Sequence, residues 1–165
     1  NHFNTLHTET NLCFGGGLDD VWENTTTGEL HIVDYKSTAQ LGKEPKPLNR
    51  EFLNDKWKEA YKRQMDMYQW ILKRKGYNVS NTGYFLYVDG QHLDQDGMID
   101  SKDTSKAYMA FNTSIIEYIG NDYWVEPTLK NIKELLHSSI CPKHTPNCEN
   151  SRFIDEVGVA MTVST

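Results

Sequence analysis

Two acidic segments and one lysine dominate the chemistry this sequence can do. Asp19 and Asp20 stand in LDDVWE (18–23), and Asp34-Tyr35-Lys36 follows LHIV (30–33). Both segments are rich in β-branched and aromatic residues, and the turn-forming run NTTTG (24–28) separates them. A hairpin is expected. On a strand, residues two apart project from one face, so Asp34 and Lys36 point the same way. A cross-strand neighbour comes within about 5 Å. Asp19 or Asp20 can therefore join the pair, and the choice matters, because a shift of one residue turns the side chain to the other face.

Two carboxylates at one spot repel each other unless a cation lies between them. Hard divalent ions such as Mg²⁺ or Mn²⁺ take oxygen ligands, commonly one or two carboxylates with water and substrate phosphate. An ion so held acidifies water and stabilises charge on a phosphoryl oxygen. An adjacent lysine orients the water or steadies the developing charge. The set assembles phosphodiester hydrolysis. The plain alternative is a surface ion pair between Asp34 and Lys36.

Several elements must position these residues. Residues 5–14 read as extended, and Gly15-Gly16-Gly17 marks a bulge or a close backbone approach. Residues 39–50 carry Gly42, Pro45 and Pro47 and read as a loop. Residues 51–75 have helical spacing, with Trp57, Tyr61, Met65, Tyr68 and Leu72 on one apolar stripe and Lys58, Lys62, Asp66, Gln69 and Lys73 opposite. Gly76 is placed to end that helix. Strands are expected over 82–88 and 107–118, with a polar connection over 89–104. Pro127 suits the first turn of a second helix, and residues 141–165 read as an irregular tail. The order of strands and helices predicts an α/β fold with a mixed β-sheet flanked by helices.

The 165 residues suit one domain spanning 1–165. Because the chain opens on Asn1, it is expected to be a fragment of a longer protein. No apolar run approaches the roughly 20 residues of a membrane span, so no membrane partner is expected. Three cysteines make no disulfide framework, which points to a cytoplasmic setting. The net charge is −6, yet residues 36–75 hold 11 of the 17 Lys and Arg and only 5 of the 23 Asp and Glu. That segment is +6 and the remainder −12. Such a distribution suits local binding of a polyanion, or else a solvated lysine-rich helix face.

The run GGLDDVWENTTTGELHIVDYKS resembles the active-site hairpin of the PD-(D/E)xK nuclease superfamily. Its branch is similar to the RecB-type exonucleases and the nucleases of CRISPR adaptation. Those proteins carry G-x-x-D, a turn, and an apolar strand ending D-Y-K-S/T. Gly16-Gly17-Leu18-Asp19 and Asp34-Tyr35-Lys36-Ser37 match these elements. Gln64 and Tyr68 match a following Q-x-x-x-Y, and Leu72 lies four residues further on the same helical face. The similarity is strong over residues 9–75 and general elsewhere.

The resemblance implies a restriction-endonuclease-like fold and a metal-dependent deoxyribonuclease, an exonuclease of repair, recombination or a mobile element. It implies that Asp19, Asp34 and the main-chain carbonyl of Tyr35 hold Mg²⁺ or Mn²⁺. Lys36 would assist the water, and Gln64 and Tyr68 would position substrate. The family's acidic residue or histidine from an upstream helix has no match, and Glu9 is a weak substitute. The alternative function is a non-catalytic nucleic-acid-binding module of the same fold. At the other end, His137, Cys141, His144 and Cys148 have spacings that can hold zinc. Relatives with an iron–sulfur cluster suggest Cys13, Cys141 and Cys148 instead, but three cysteines cannot complete a four-cysteine cluster. Reduced cysteines in a loop are the simplest reading.

Overall fold

The computed structural model describes residues 2–40, 46–91, 98–140, 142–146 and 148–163. The chain divides into two compact units, residues 1–129 and 130–165.

The first unit opens with an antiparallel hairpin of β1 (His2–His7) and β2 (Leu12–Gly17), in which Phe3 faces Gly16. A four-stranded sheet follows, in the order β3 (Asp20–Glu23), β4 (Leu30–Thr38), β5 (Thr82–Gln91), β6 (Ala110–Ile119). β3 and β4 are antiparallel, β4 and β5 parallel, and β5 and β6 antiparallel. The sheet is thus mixed, as expected. The β3–β4 turn closes where Asn24 Oδ1 accepts from the amides of Thr26 and Thr27, and Gly28 takes the positive φ of 70°.

Two parallel strands need a crossover between them. It consists of two 3-10 turns, Arg50–Asn54 and Lys56–Lys58, and α1 (Glu59–Arg74). Gly76, at φ 88°, and the bond from the Tyr77 amide to Leu72 O terminate α1. Met65, Tyr68 and Leu72 pack on Ile32, Phe85, Tyr87 and Ile116 from the sheet. The Trp70 and Ile71 side of the helix packs with Phe14, Val125 and Leu129.

Because α1 is covered on two sides, its faces differ from the expected pattern. Asp66 and Gln69, expected on a solvated face, are buried, while Trp57 is 86 % exposed in the second 3-10 turn. Asp66 collects donors from Tyr118 Oη at 3.0 Å, the Asn121 amide at 2.9 Å and Trp124 Nε1 at 2.9 Å. Gln69 Nε2 donates to Asn81 O at 2.8 Å. A hydrophobic stripe reads only one contact face, and a second burial face made by polar caps leaves no such trace.

α2 (Val125–His137) carries Pro127 in its first turn, as the sequence suggests. In the second unit, residues 149–163, read from the sequence as part of an irregular tail, form α3 (Glu149–Val163). Among the described residues, no helix is long and apolar enough to cross a membrane.

Candidate active site

The hairpin register decides between the two neighbouring aspartates. Asp20 pairs with Val33 in the β3–β4 ladder. Its Oδ2 accepts from Tyr35 Oη at 2.6 Å and Trp22 Nε1 at 3.2 Å, while Oδ1 accepts from the Val21 amide at 2.8 Å. The Tyr35 hydroxyl first of all, then the Val21 amide, holds the Asp20 carboxyl below its usual range. Asp20 is thus spent on the Tyr35 side chain. Asp19 lies in the bend between β2 and β3, where its Oδ2 accepts the Tyr35 amide proton at 2.8 Å. The main chain of Tyr35 therefore ties Asp19 to β4 between Asp34 and Lys36.

Alternation along β4 sends Ile32, Asp34 and Lys36 toward α1. Ile32 is core, and Asp34 is only 4 % exposed. The Lys36 ammonium pairs with Asp34 Oδ2. Burial chiefly raises the Asp34 carboxyl above its ordinary range; Lys36 opposes this, and the neighbouring Asp19 carboxylate adds to it. Asp19 is close enough to disfavour the charge on Asp34. A buried carboxylate beside an exposed one is an oxygen donor set that fits a hard divalent cation.

α1 closes the site from above. Lys36 Nζ donates to Gln64 Oε1 at 3.5 Å, and Gln64 Nε2 donates to Tyr68 Oη at 2.8 Å. The spacing of four makes that last bond possible. Tyr68 also fills core space, with its ring 5.3 Å from Phe3 in an edge-on arrangement. Its packing and polar roles coexist. The Lys36 ammonium stands 4.5 Å from the centre of the Tyr61 ring. On the neighbouring strand Tyr87 is paired with Lys36 and buried, and its hydroxyl has no hydrogen-bond partner. Burial first, then Tyr61 and Asp34, pushes the Tyr87 hydroxyl up to about 12. Tyr87 escapes a sequence reading because the parallel pairing that brings it to Lys36 joins segments about 50 residues apart.

The remaining candidates lie elsewhere. Glu9 is in the β1–β2 turn, at the opposite end of that hairpin from Gly17 and Asp19. There it groups with His7 and Glu126, their ligand atoms within 4.8 Å of one another. His7 is 1 % exposed; its Nδ1 meets Thr10 Oγ1 and its Nε2 meets Glu126 Oε2, each at 2.7 Å. His7 is therefore a buried hydrogen-bond partner of Thr10 and Glu126. Glu126 Oε1 also binds Arg74 at 3.3 Å. In the second unit, Cys141 lies outside the described residues. His137, His144 and Cys148 do not form a metal-sized group among the described residues. His144 lies 4.0 Å from Asp155, and the Ser151 hydroxyl, foremost, holds the Cys148 thiol below its usual range. Cys13 is exposed on β2.

Comparison with known proteins gives one family. The model of the PD-(D/E)XK nuclease superfamily matches residues 2–150. No curated protein and no solved structure matches the chain significantly.

Proposed function

The chain belongs to the PD-(D/E)XK nuclease superfamily, and from that premise we propose that it is a deoxyribonuclease centred on Asp19, Asp34 and Lys36, with Mg²⁺ or Mn²⁺ as its metal. The observation that carries this reading is the convergence of an exposed and a buried aspartate, with a lysine ammonium on the buried one. The main-chain carbonyl of Tyr35, between Asp34 and Lys36, is the further candidate ligand. When bound, the ion supplies Lewis acidity toward the scissile phosphate and an acidified water.

The protein's own groups divide the remaining work. Asp34 presents a fixed, desolvated oxygen, and Asp19 is held in register by the Tyr35 amide. Lys36 stands beside them with 16 % of its side chain exposed, so it reaches the reacting groups while largely shielded from bulk water. There its charge can orient a water or stabilise a developing oxyanion. Gln64 fixes the ammonium direction, and Tyr68 fixes the Gln64 amide. The basic balance of residues 36–75 supports a polyanionic substrate. Similarity to the RecB-type branch supports an exonuclease of repair, recombination or mobile-element processing.

The test is a DNA-cleavage assay with Mg²⁺, with Mn²⁺ and with EDTA, on the wild type and on Asp34→Ala and Lys36→Ala, alongside DNA binding. Metal-dependent cleavage lost in both variants is expected. Cleavage in EDTA contradicts the mechanism, and an inert wild type that still binds DNA favours a non-catalytic nucleic-acid-binding module.

A further inference from the structure

Lys58 ends the second 3-10 turn, immediately before α1. Its ammonium lies over three aromatic rings, 4.6 Å from the centre of Phe52, 5.2 Å from Tyr61 and 5.5 Å from Tyr87. Two of these rings belong to the wall of the candidate site. Tyr61 also carries the Lys36 ammonium, and Tyr87 pairs with Lys36 in the β4–β5 ladder. The two cations therefore share one ring, although 22 residues separate them in the sequence.

Their partners differ. Lys36 is engaged by Asp34 and Gln64. Lys58 makes no ion pair among the described residues. Asp55, the carboxylate that acts on the Lys58 charge, is instead paired with Lys46 at 3.1 Å, while Lys62 is paired with Glu59 at 3.0 Å. A partly desolvated ammonium regains some stabilisation from ring faces. A second cation nearby works against it. Burial and Lys36 both press Lys58 toward its neutral form, and only Asp55 opposes them. The group is held in place and lacks an anion, which is the electrostatic preorganisation suited to a phosphate.

We propose that Lys58, caged by Phe52, Tyr61 and Tyr87, binds the DNA backbone phosphate next to the scissile one. This rests on the nuclease reading above and adds a substrate-binding group outside the Asp19, Asp34 and Lys36 set. It assigns the two lysines different work: Lys36 acts on the reacting phosphate, and Lys58 sets the strand's register.

The experiment measures binding of a short DNA oligonucleotide in Ca²⁺, with a neutral methylphosphonate linkage placed on either side of the cleavage position. Wild type, Lys58→Met and Lys58→Arg are compared over a range of salt. The wild type should lose about tenfold in affinity at one of the two linkages. Lys58→Met should show that loss on unmodified DNA and no further loss at the neutral linkage. Its salt slope should flatten by roughly one phosphate contact, about 0.7 to 0.9, and Lys58→Arg should recover most of both. Methionine keeps the apolar stem over the rings, and Lys58→Gln serves if it fails to fold. A folded neutral variant with wild-type affinity and slope overturns the proposal, as does one that still responds to the neutral linkage; in both cases metal-dependent cleavage by the wild type leaves the nuclease reading standing. A wild type that neither binds nor cleaves DNA overturns that reading and this one together.

Discussion

The ring of Tyr68 occupies the space that a side chain at residue 16 would need. A Cβ built on Gly16 would stand 2.6 Å from Tyr68 Cε1 and 2.9 Å from its hydroxyl oxygen. Tyr68 Oη accepts from Gln64, and Gln64 accepts from Lys36. The glycine ahead of the first aspartate is thus linked through two side chains to the lysine.

Gly16→Ala should push the Tyr68 ring off its seat. Overpacking of this kind costs about 1 to 3 kcal/mol, read as a lower melting temperature. Turnover per folded molecule should fall as well, because Gln64 loses its anchor. Tyr68→Phe, which keeps the ring and removes the acceptor, should reduce turnover with a smaller effect on melting. If Gly16→Ala melts and cleaves as the wild type does, the linkage has no functional weight.

Losses at the centre should not add. Asp34→Ala is expected to abolish metal binding at the site, read by titration calorimetry with Mn²⁺. Lys36→Ala should keep metal and DNA binding and lose turnover. The double variant should be no slower than the worse single one, since residues acting as a unit are strongly non-additive. Multiplying defects in the double variant would show that the two side chains act in separate steps.

The raised Asp34 carboxyl predicts a pH signature in the metal-free protein. A carboxyl raised above its unfolded value, 3.8, stabilises the fold in its protonated form. That contribution is complete below the unfolded value and is lost as pH climbs through the folded one. Asp34→Asn stays neutral throughout. The gap in melting temperature in favour of the variant should therefore widen as pH rises above the unfolded value of 3.8. Saturating Mg²⁺ should narrow it by stabilising the wild type alone. A gap that stays constant with pH would mean that Asp34 titrates as it does in the unfolded chain.

Asp66 should matter for folding and not for chemistry. Asp66→Ala leaves the Tyr118 hydroxyl, the Asn121 amide and the Trp124 indole N–H without their acceptor. Orphaning donors bound to a buried charge should cost about 3 kcal/mol or more. Urea melts would measure the loss. Cleavage per folded molecule at low temperature should stay near wild type, and a selective loss of activity would instead assign Asp66 to the site.

The local chemistry of this chain was legible in its residues. Alternation in LHIVDYK put Asp34 and Lys36 on one face, Asn24 and Gly28 marked the hairpin turn, and a spacing of four joined Gln64 to Tyr68. These relations span at most a few residues or one tight turn, and backbone geometry alone fixes them. Tertiary packing decided what periodicity could not. The Tyr35 amide and hydroxyl sorted Asp19 from Asp20, a second burial face drew in Asp66 and Gln69, and a parallel pairing brought Tyr87 to Lys36. The same crossover set Lys58 over rings from three separate segments. Side-chain direction is a property of each element, but a neighbour's identity depends on which elements pack together, and no short-range pattern encodes that.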